Sequence, residues 1–164
     1  MKFPVVADTC ALMALAVVRR LDLLCLCFPA VGVPGGVVAE ARDLQVPPSG
    51  DFLWDCCKAQ GCFQSFELSA EANVQAAAYR GHGGRIHLGE SETLAFAKQT
   101  GCLALTDDLA ARELARSEGL RLTGTLGILS LSKRKGWIHR CRPLIEEMVA
   151  RNRQLAPALV EQFL

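Results

Sequence analysis

The strand-like apolar runs of this chain are continuous rather than alternating. The strand expected at Lys2–Ala7 carries the apolar run Phe3-Pro-Val-Val-Ala7, and the strand expected at Cys102–Thr106 is apolar up to its threonine; a strand of that kind is buried on both sides. Each is followed by a helical pattern, Cys10–Arg20 after the first and Leu109–Glu118 after the second. Alternation of such strands with helices predicts a parallel sheet covered on both faces. Further strands are expected at Val31–Val33, around Cys62–Leu68 and at Leu120–Thr123. Further helices are expected at Leu21–Phe28, Gly35–Arg42, Ala70–Tyr79 behind a Ser69 cap, Gly89–Thr100, Thr125–Lys135, Arg142–Arg151 and Pro157–Phe163. Between Asp43 and Gln64 the rhythm fails. Pro47-Pro-Ser-Gly-Asp51 is turn chemistry, and Phe52–Cys57 reads as a single helical turn.

A chain of 164 residues supports one domain with a real core and not two. It is expected to be a single domain over 1–164, with a variable insertion at about 43–70 and C-terminal helices at about 139–164. Eighteen basic residues against seventeen acidic leave a net charge of +1, so any nucleic-acid surface has to be local. No apolar stretch reaches the roughly 18 residues of a membrane span. Arg19, Arg20 and Asp22 close the longest one, and a cytoplasmic location with no membrane partner is expected. The eight cysteines mostly sit in apolar runs, which predicts buried thiols rather than a disulfide framework. Cys56, Cys57 and Cys62, with His82 or His87 in reach, lack the paired C-x₂-C spacing of structural zinc sites, and packing is the expectation there.

Acidic residues recur where predicted strands end or helices begin: Asp8, Glu40, Glu90, and the pair Asp107-Asp108. In an open parallel sheet the carboxyl ends of adjacent strands converge on one crevice, so acids far apart in sequence can meet there. Like charges at 4 Å repel by about 4 kcal/mol per pair at an effective dielectric near 20. A cluster of that kind is expected to take up protons or a divalent cation. Each acid also has a local role to play: Asp8 can cap the first helix, Glu90 suits a helix start, and one of Asp107 and Asp108 can cap the next helix. Glu90 and Glu92 lie about 200° apart around their helix, so only one faces a common site.

The order of these residues resembles the PIN-domain nucleases. Asp8-Thr9 follows the first strand. Val33-Pro34, Val37 and Glu40 come next, then Leu88-Gly-Glu-Ser-Glu-Thr-Leu-Ala-Phe-Ala97 and Thr106-Asp-Asp-Leu-Ala-Ala-Arg112. Gly119-Leu-Arg-Leu-Thr-Gly-Thr-Leu-Gly-Ile-Leu129 completes the pattern. The resemblance covers nearly the whole chain and is weakest between Asp43 and Ala70. It implies a three-layer α/β/α sandwich and hydrolysis of single-stranded RNA with Mg²⁺ or Mn²⁺. It also implies Asp8, Glu40 and Glu90 as metal ligands, joined by Asp107 or Asp108. A Thr-x-Asp spacing favours Asp108 and an acidic doublet favours Asp107. Thr9 and Thr106 would orient the ligands. The family further implies an antitoxin partner for a toxin component, and a homodimer, for which the apolar segment Leu144–Phe163 is the expected interface.

Cations for a phosphate backbone are expected from Arg112 and Arg116, one helical turn apart, and from the run Lys133, Arg134, Lys135, His139, Arg140 and Arg142. Trp137 and Tyr79 are candidates for base stacking. The rival reading is a PIN-like binding or interaction module without useful catalysis. A dehalogenase-like phosphatase is disfavoured because Cys10 stands where its second Asp belongs. No glycine-rich phosphate loop lies between a strand and a helix.

Overall fold

The computed structural model describes every residue except Met1, His82, 152–154, 156–159 and 162–164. The predicted helix Pro157–Phe163 falls largely outside these described residues. Strand β1 (Val5–Ala7) leads into α1 (Thr9–Val17) and α2 (Asp22–Cys27). Strand β2 (Val31–Pro34) runs directly into α3 (Gly35–Asp43). The insertion then forms a small antiparallel hairpin, β3 (Gln45–Val46) with β4 (Asp51–Phe52), followed by α4 (Leu53–Gln60). This corrects the single turn expected at Phe52–Cys57. Leu53, Trp54 and Cys57 form a buried stripe and Gly61, with φ 80°, ends the helix. Strand β5 (Phe63–Phe66), α5 (Ala70–Arg80) and α6 (Leu88–Thr100) come next. Strand β6 (Leu103–Leu105), α7 (Leu109–Ser117), β7 (Leu122–Thr123), α8 (Thr125–Arg134) and α9 (Arg142–Ala150) complete the described order.

The sheet has five strands in the order β5-β2-β1-β6-β7, all parallel. The fold is the expected α/β/α sandwich, and the reason is in its two cores. One packs Leu12, Leu15, Leu24, Leu129, Ile145 and Met148 against one face of the sheet. The other packs Val6, Ala104, Leu94, Phe96 and Leu114 against the opposite face. Adjacent residues Val5 and Val6 therefore bury on different faces, which is why the strand carries no polar alternation. At about 25 cal/mol per Å², each such aliphatic side chain contributes on the order of 2 kcal/mol. Phe3, Phe66 and Phe96 form an aromatic trio in the second core, with Phe66 and Phe96 centroids 4.3 Å apart. Burial and offset ring contacts both favour it. The chain goes from β1 outward through β2 to β5, then crosses back to pair β6 with the other side of β1. The carboxyl ends of β1 and β6 thus meet at the switch point.

Two cysteine expectations change. Cys25 and Cys62 are joined as a disulfide, with Cα atoms 5.5 Å apart, because the start of β5 lies beside the end of α2. Cys62 is thereby withdrawn from the Cys56-Cys57-Cys62 group considered for zinc. Cys57, Cys102 and Cys141 are buried as expected, whereas Cys10 is exposed. Among the described residues no helix is long and apolar enough to cross a membrane.

Candidate functional site

The switch point between β1 and β6 fixes Asp8 first. Its Oδ1 accepts the Ala11 amide at 3.0 Å, so it does cap α1. Its Oδ2 accepts the Thr106 hydroxyl from the end of β6, and its own amide donates to Leu105 O at 3.1 Å. Asp8 is fully buried. Burial lifts its carboxyl to about 8 against the two hydrogen bonds, and the charges of Asp107 and Glu90 push in the same direction. Capping and participation in the crevice are therefore one arrangement rather than alternatives.

Glu40 reaches the same edge from α3. Its Oε2 accepts the Thr9 hydroxyl and its Oε1 accepts the Gly89 amide at 3.2 Å. A Cβ on Gly89 would sit 2.9 Å from Glu40 Oε2. Glycine at that point is what lets the start of α6 approach the carboxylate. Glu90, the third residue of α6, folds back so that Oε2 accepts the His87 amide at 2.7 Å. Burial raises its pKa most, and the charges of Asp108 and Glu40 add to it. Glu92 points elsewhere, accepting the Gly36 amide at 2.6 Å, as the helical angle between the two requires.

Asp107 and Asp108 divide their work. Asp108 Oδ1 caps α7 through the Ala111 amide at 2.8 Å. Asp107 Oδ1 accepts the Thr125 amide at 2.8 Å and its Oδ2 accepts the Thr125 hydroxyl, which pins the start of α8 to the crevice. Burial raises the Asp107 pKa, opposed by Thr125 and by the nearby Arg112. Arg112 donates from Nη1 to Thr106 O at 2.9 Å. A Cβ on Gly124 would lie 2.7 Å from Asp107 Oδ1 and 2.8 Å from Arg112 Nη1.

Cys10 is a crevice residue that the sequence reading passed over, apart from noting that it replaces an aspartate. Although the residue is exposed, desolvation of the thiol and then the charges of Asp8, Glu90, Asp108 and Asp107 push it well above the usual range. Thr125 was also missed, since its link to Asp107 spans 18 residues and depends on β7 lying between them.

The five acids thus share one edge with Arg112 beside them. Among the described residues, no three His, Cys, Asp or Glu side chains gather as a metal-binding group. The donors are nevertheless all hard carboxylate oxygens. Glu90 Oε1 and Asp108 Oδ2 accept no hydrogen bond among the described residues. Such a set suits Mg²⁺, which keeps several waters and takes one or two carboxylates rather than an all-protein cage.

The predicted cations separate. Arg112 stays at the crevice, bonded to Thr106 O, whereas Arg116 lies in the last turn of α7. Lys133 and Arg134 occupy the last turn of α8 and Lys135 caps it, at the end remote from Thr125, with His139, Arg140 and Arg142 exposed beyond them. Tyr79 does not offer a stacking surface. It is buried, and its hydroxyl donates to Glu118 Oε2 at 3.0 Å. Trp137 is half-buried against the first core.

Residues 4–164 match the family model described as DUF3368, PIN domain. Among solved structures the chain is similar to VapBC2 from Rickettsia felis, determined bound to a DNA fragment from their promoter. The likeness has 13% identity and a TM-score of 0.45, over 73% of this chain and 98% of that one. No curated relative matches the sequence.

Proposed function

The chain belongs to the PIN-domain family, a family of nucleases, and on that premise we propose that it is a Mg²⁺- or Mn²⁺-dependent endoribonuclease acting on single-stranded RNA. The observation that supports this reading is geometric: Asp8 and Asp108 share the Thr106 hydroxyl at the β1–β6 switch point, and Glu90 Oε1 and Asp108 Oδ2 accept no hydrogen bond among the described residues. Burial raises the Asp8 pKa most, the charges of Asp107 and Glu90 add to it, and carboxylates so placed favour a nearby positive charge. Asp8, Glu90 and Asp108 would hold the cation, with Glu40 completing the acidic wall. When bound, the cation supplies Lewis acidity toward a phosphoryl oxygen and toward water. Thr106 and Thr9 fix the orientation of Asp8 and Glu40 through their hydroxyls, as outer-shell partners do. Asp107 turns its own oxygens to Thr125 and acts as a positioning residue. Arg112 and Arg116 contact the RNA backbone, which draws a polyanion toward an otherwise repellent pocket.

The experiment is cleavage of a labelled single-stranded RNA by the purified chain in Mn²⁺, Mg²⁺ or EDTA, beside Asp8→Asn. Cleavage that requires the cation and Asp8 is expected. A folded wild-type protein inert across varied RNAs in both metals would favour the binding-module reading, to which the open acid cluster also lends itself.

The same proposal includes a small antitoxin partner. Leu88 and Leu109, 38% and 58% exposed, start the two helices that carry Glu90 and follow Asp108, so the acids have an apolar rim. A partner segment mixing cationic and apolar side chains would fit it. Purification from the native host with no small companion would count against this. Self-association through 144–163 belongs to the reading as well. In the described part, Ile145 and Met148 turn into the core and Val149 stays exposed. Light scattering that returns a monomer at high concentration would remove it.

A further inference from the structure

From Gly119 to Ile145 the chain has six Lys and Arg residues and no Asp or Glu, although its overall charge is only +1. These cations are Arg121, Lys133, Arg134, Lys135, Arg140 and Arg142, all exposed. None takes part in an ion pair among the described residues. Helix α8 gives the patch its place. Thr125 at its start holds Asp107, and Lys133 and Arg134 form its last turn. Ten residues at 1.5 Å each put about 15 Å between these ends. Arg121 enters β7 from the same remote edge of the sheet.

Helix α7 links the two poles. Arg112 lies against Gly124 at the crevice end, and Arg116 is one turn further along the same face. Glu113 is on another face of α7, paired with Arg85 at 3.6 Å beside Ala110 and Ser117. The nearest acids past the patch are Glu146 and Glu147 on α9, and Glu147 is engaged by Arg151. Arg112 thus stands at the crevice end, and Arg116, Arg121 and Lys133–Lys135 at the remote end, with α7 and α8 on opposite faces of the sheet on either side of the β7 edge.

We infer that this row is a track for the backbone of the RNA strand, leading away from the acid crevice along the β7 edge. It rests on the reading that single-stranded RNA is the substrate, and it narrows that substrate to strands extending well past the cut on one side. At roughly 3.4 Å per stacked nucleotide, a 15 Å track accommodates about four to five phosphates beyond the crevice. A tetranucleotide cannot occupy both poles.

The test is fluorescence anisotropy of the full chain in EDTA with labelled single-stranded RNAs of about four and about 20 nucleotides, across a salt series. The longer RNA is expected to bind at least about tenfold tighter. In K133A/R134A/K135A that advantage is lost, and the slope of log K against log salt falls by about 2, near 0.7 per phosphate contact removed. Lys58→Ala, which removes an exposed charge on α4, serves as the control and is expected to bind as wild type. Thermal scans verify that each variant folds. Unchanged affinity and slope in the triple variant would overturn the track, as would an equal loss in Lys58→Ala or tighter binding of a DNA strand of the same sequence. Loss of RNA cleavage activity in Mn²⁺ with the salt-slope change intact would sink the nuclease reading alone. Cleavage with no slope change would sink the track alone.

Discussion

The Thr106 hydroxyl donates to Oδ2 of Asp8, joining residues 98 positions apart where β1 and β6 end side by side. The same oxygen of Thr106 accepts the Asp108 amide at 3.2 Å, so one hydroxyl orients a carboxylate and steadies the turn that carries two more. Thr106→Val removes both bonds inside a buried site, at a cost of about 1–3 kcal/mol for the groups left unpaired. Thr106→Ser is expected to recover most of the lost stability and activity, read by thermal melting and by cleavage rate. If Ser fares no better than Val, the methyl group matters and the hydroxyl does not.

Asp8 carries a pH signature in the metal-free protein. Its pKa is raised to about 8 from 3.8, so between those values the folded state holds a proton that the unfolded chain has released. The linkage sign follows: metal-free stability falls as pH rises through this window. Glu90 and Asp107 are shifted in the same direction. A drop in Tm on the order of 5 °C or more from pH 6 to pH 9 in EDTA is expected. Asp8→Asn keeps a capping oxygen for Ala11 and discards the charge. It should flatten the profile, raise Tm at pH 9, and abolish stabilisation by Mn²⁺. A variant that melts below wild type at pH 9 would contradict this account.

Gly124 tests room rather than backbone freedom, since its φ of −130° is open to any residue. In Gly124→Ala the new methyl group would displace Asp107 Oδ1 or Arg112 Nη1. Activity is expected to fall about 10- to 100-fold, as for other losses of a ligand's support, with a smaller change in Tm. Equal kinetics for the two proteins would mean that the Asp107–Arg112 geometry has no bearing on catalysis.

How legible this was depended on range. Continuous apolar runs within Lys2–Ala7 and Cys102–Thr106 announced the parallel sheet, and Ser69 announced α5, because those signals are local. The 43–64 insertion was illegible because its strands are two residues long and its helix is only eight, too short for periodicity to separate from turn chemistry. The acids could be named from their strand-end positions. Their mutual arrangement could not, because the Asp107–Thr125 and Cys25–Cys62 links follow from strand order. The basic run was visible too, but its distance from the crevice emerges only once α8 is seen to begin at Thr125, bonded to Asp107, and run away from it.

The acidic doublet offers the sharpest separation of roles. Asp107, like Asp8, has both oxygens hydrogen-bonded, but the charge of Arg112 also lowers its pKa, so part of its charge is met within the protein. Asp108 spends one oxygen on its cap and leaves Oδ2 without a donor among the described residues. Asn is a good helix cap, so Asp108→Asn should fold with near-normal Tm, yet lose Mn²⁺ affinity and cleavage by about a hundredfold or more. Asp107→Asn presents an amide where two donors from Thr125 now converge. The Thr125 hydroxyl can rotate to accept the new amide, but Arg112 loses the carboxylate beside it, and stability is expected to fall by about 1–3 kcal/mol. Its Mn²⁺ affinity, measured by calorimetry below its melting temperature, is expected to suffer less than that of Asp108→Asn. The reverse order of metal affinities would exchange the two assignments.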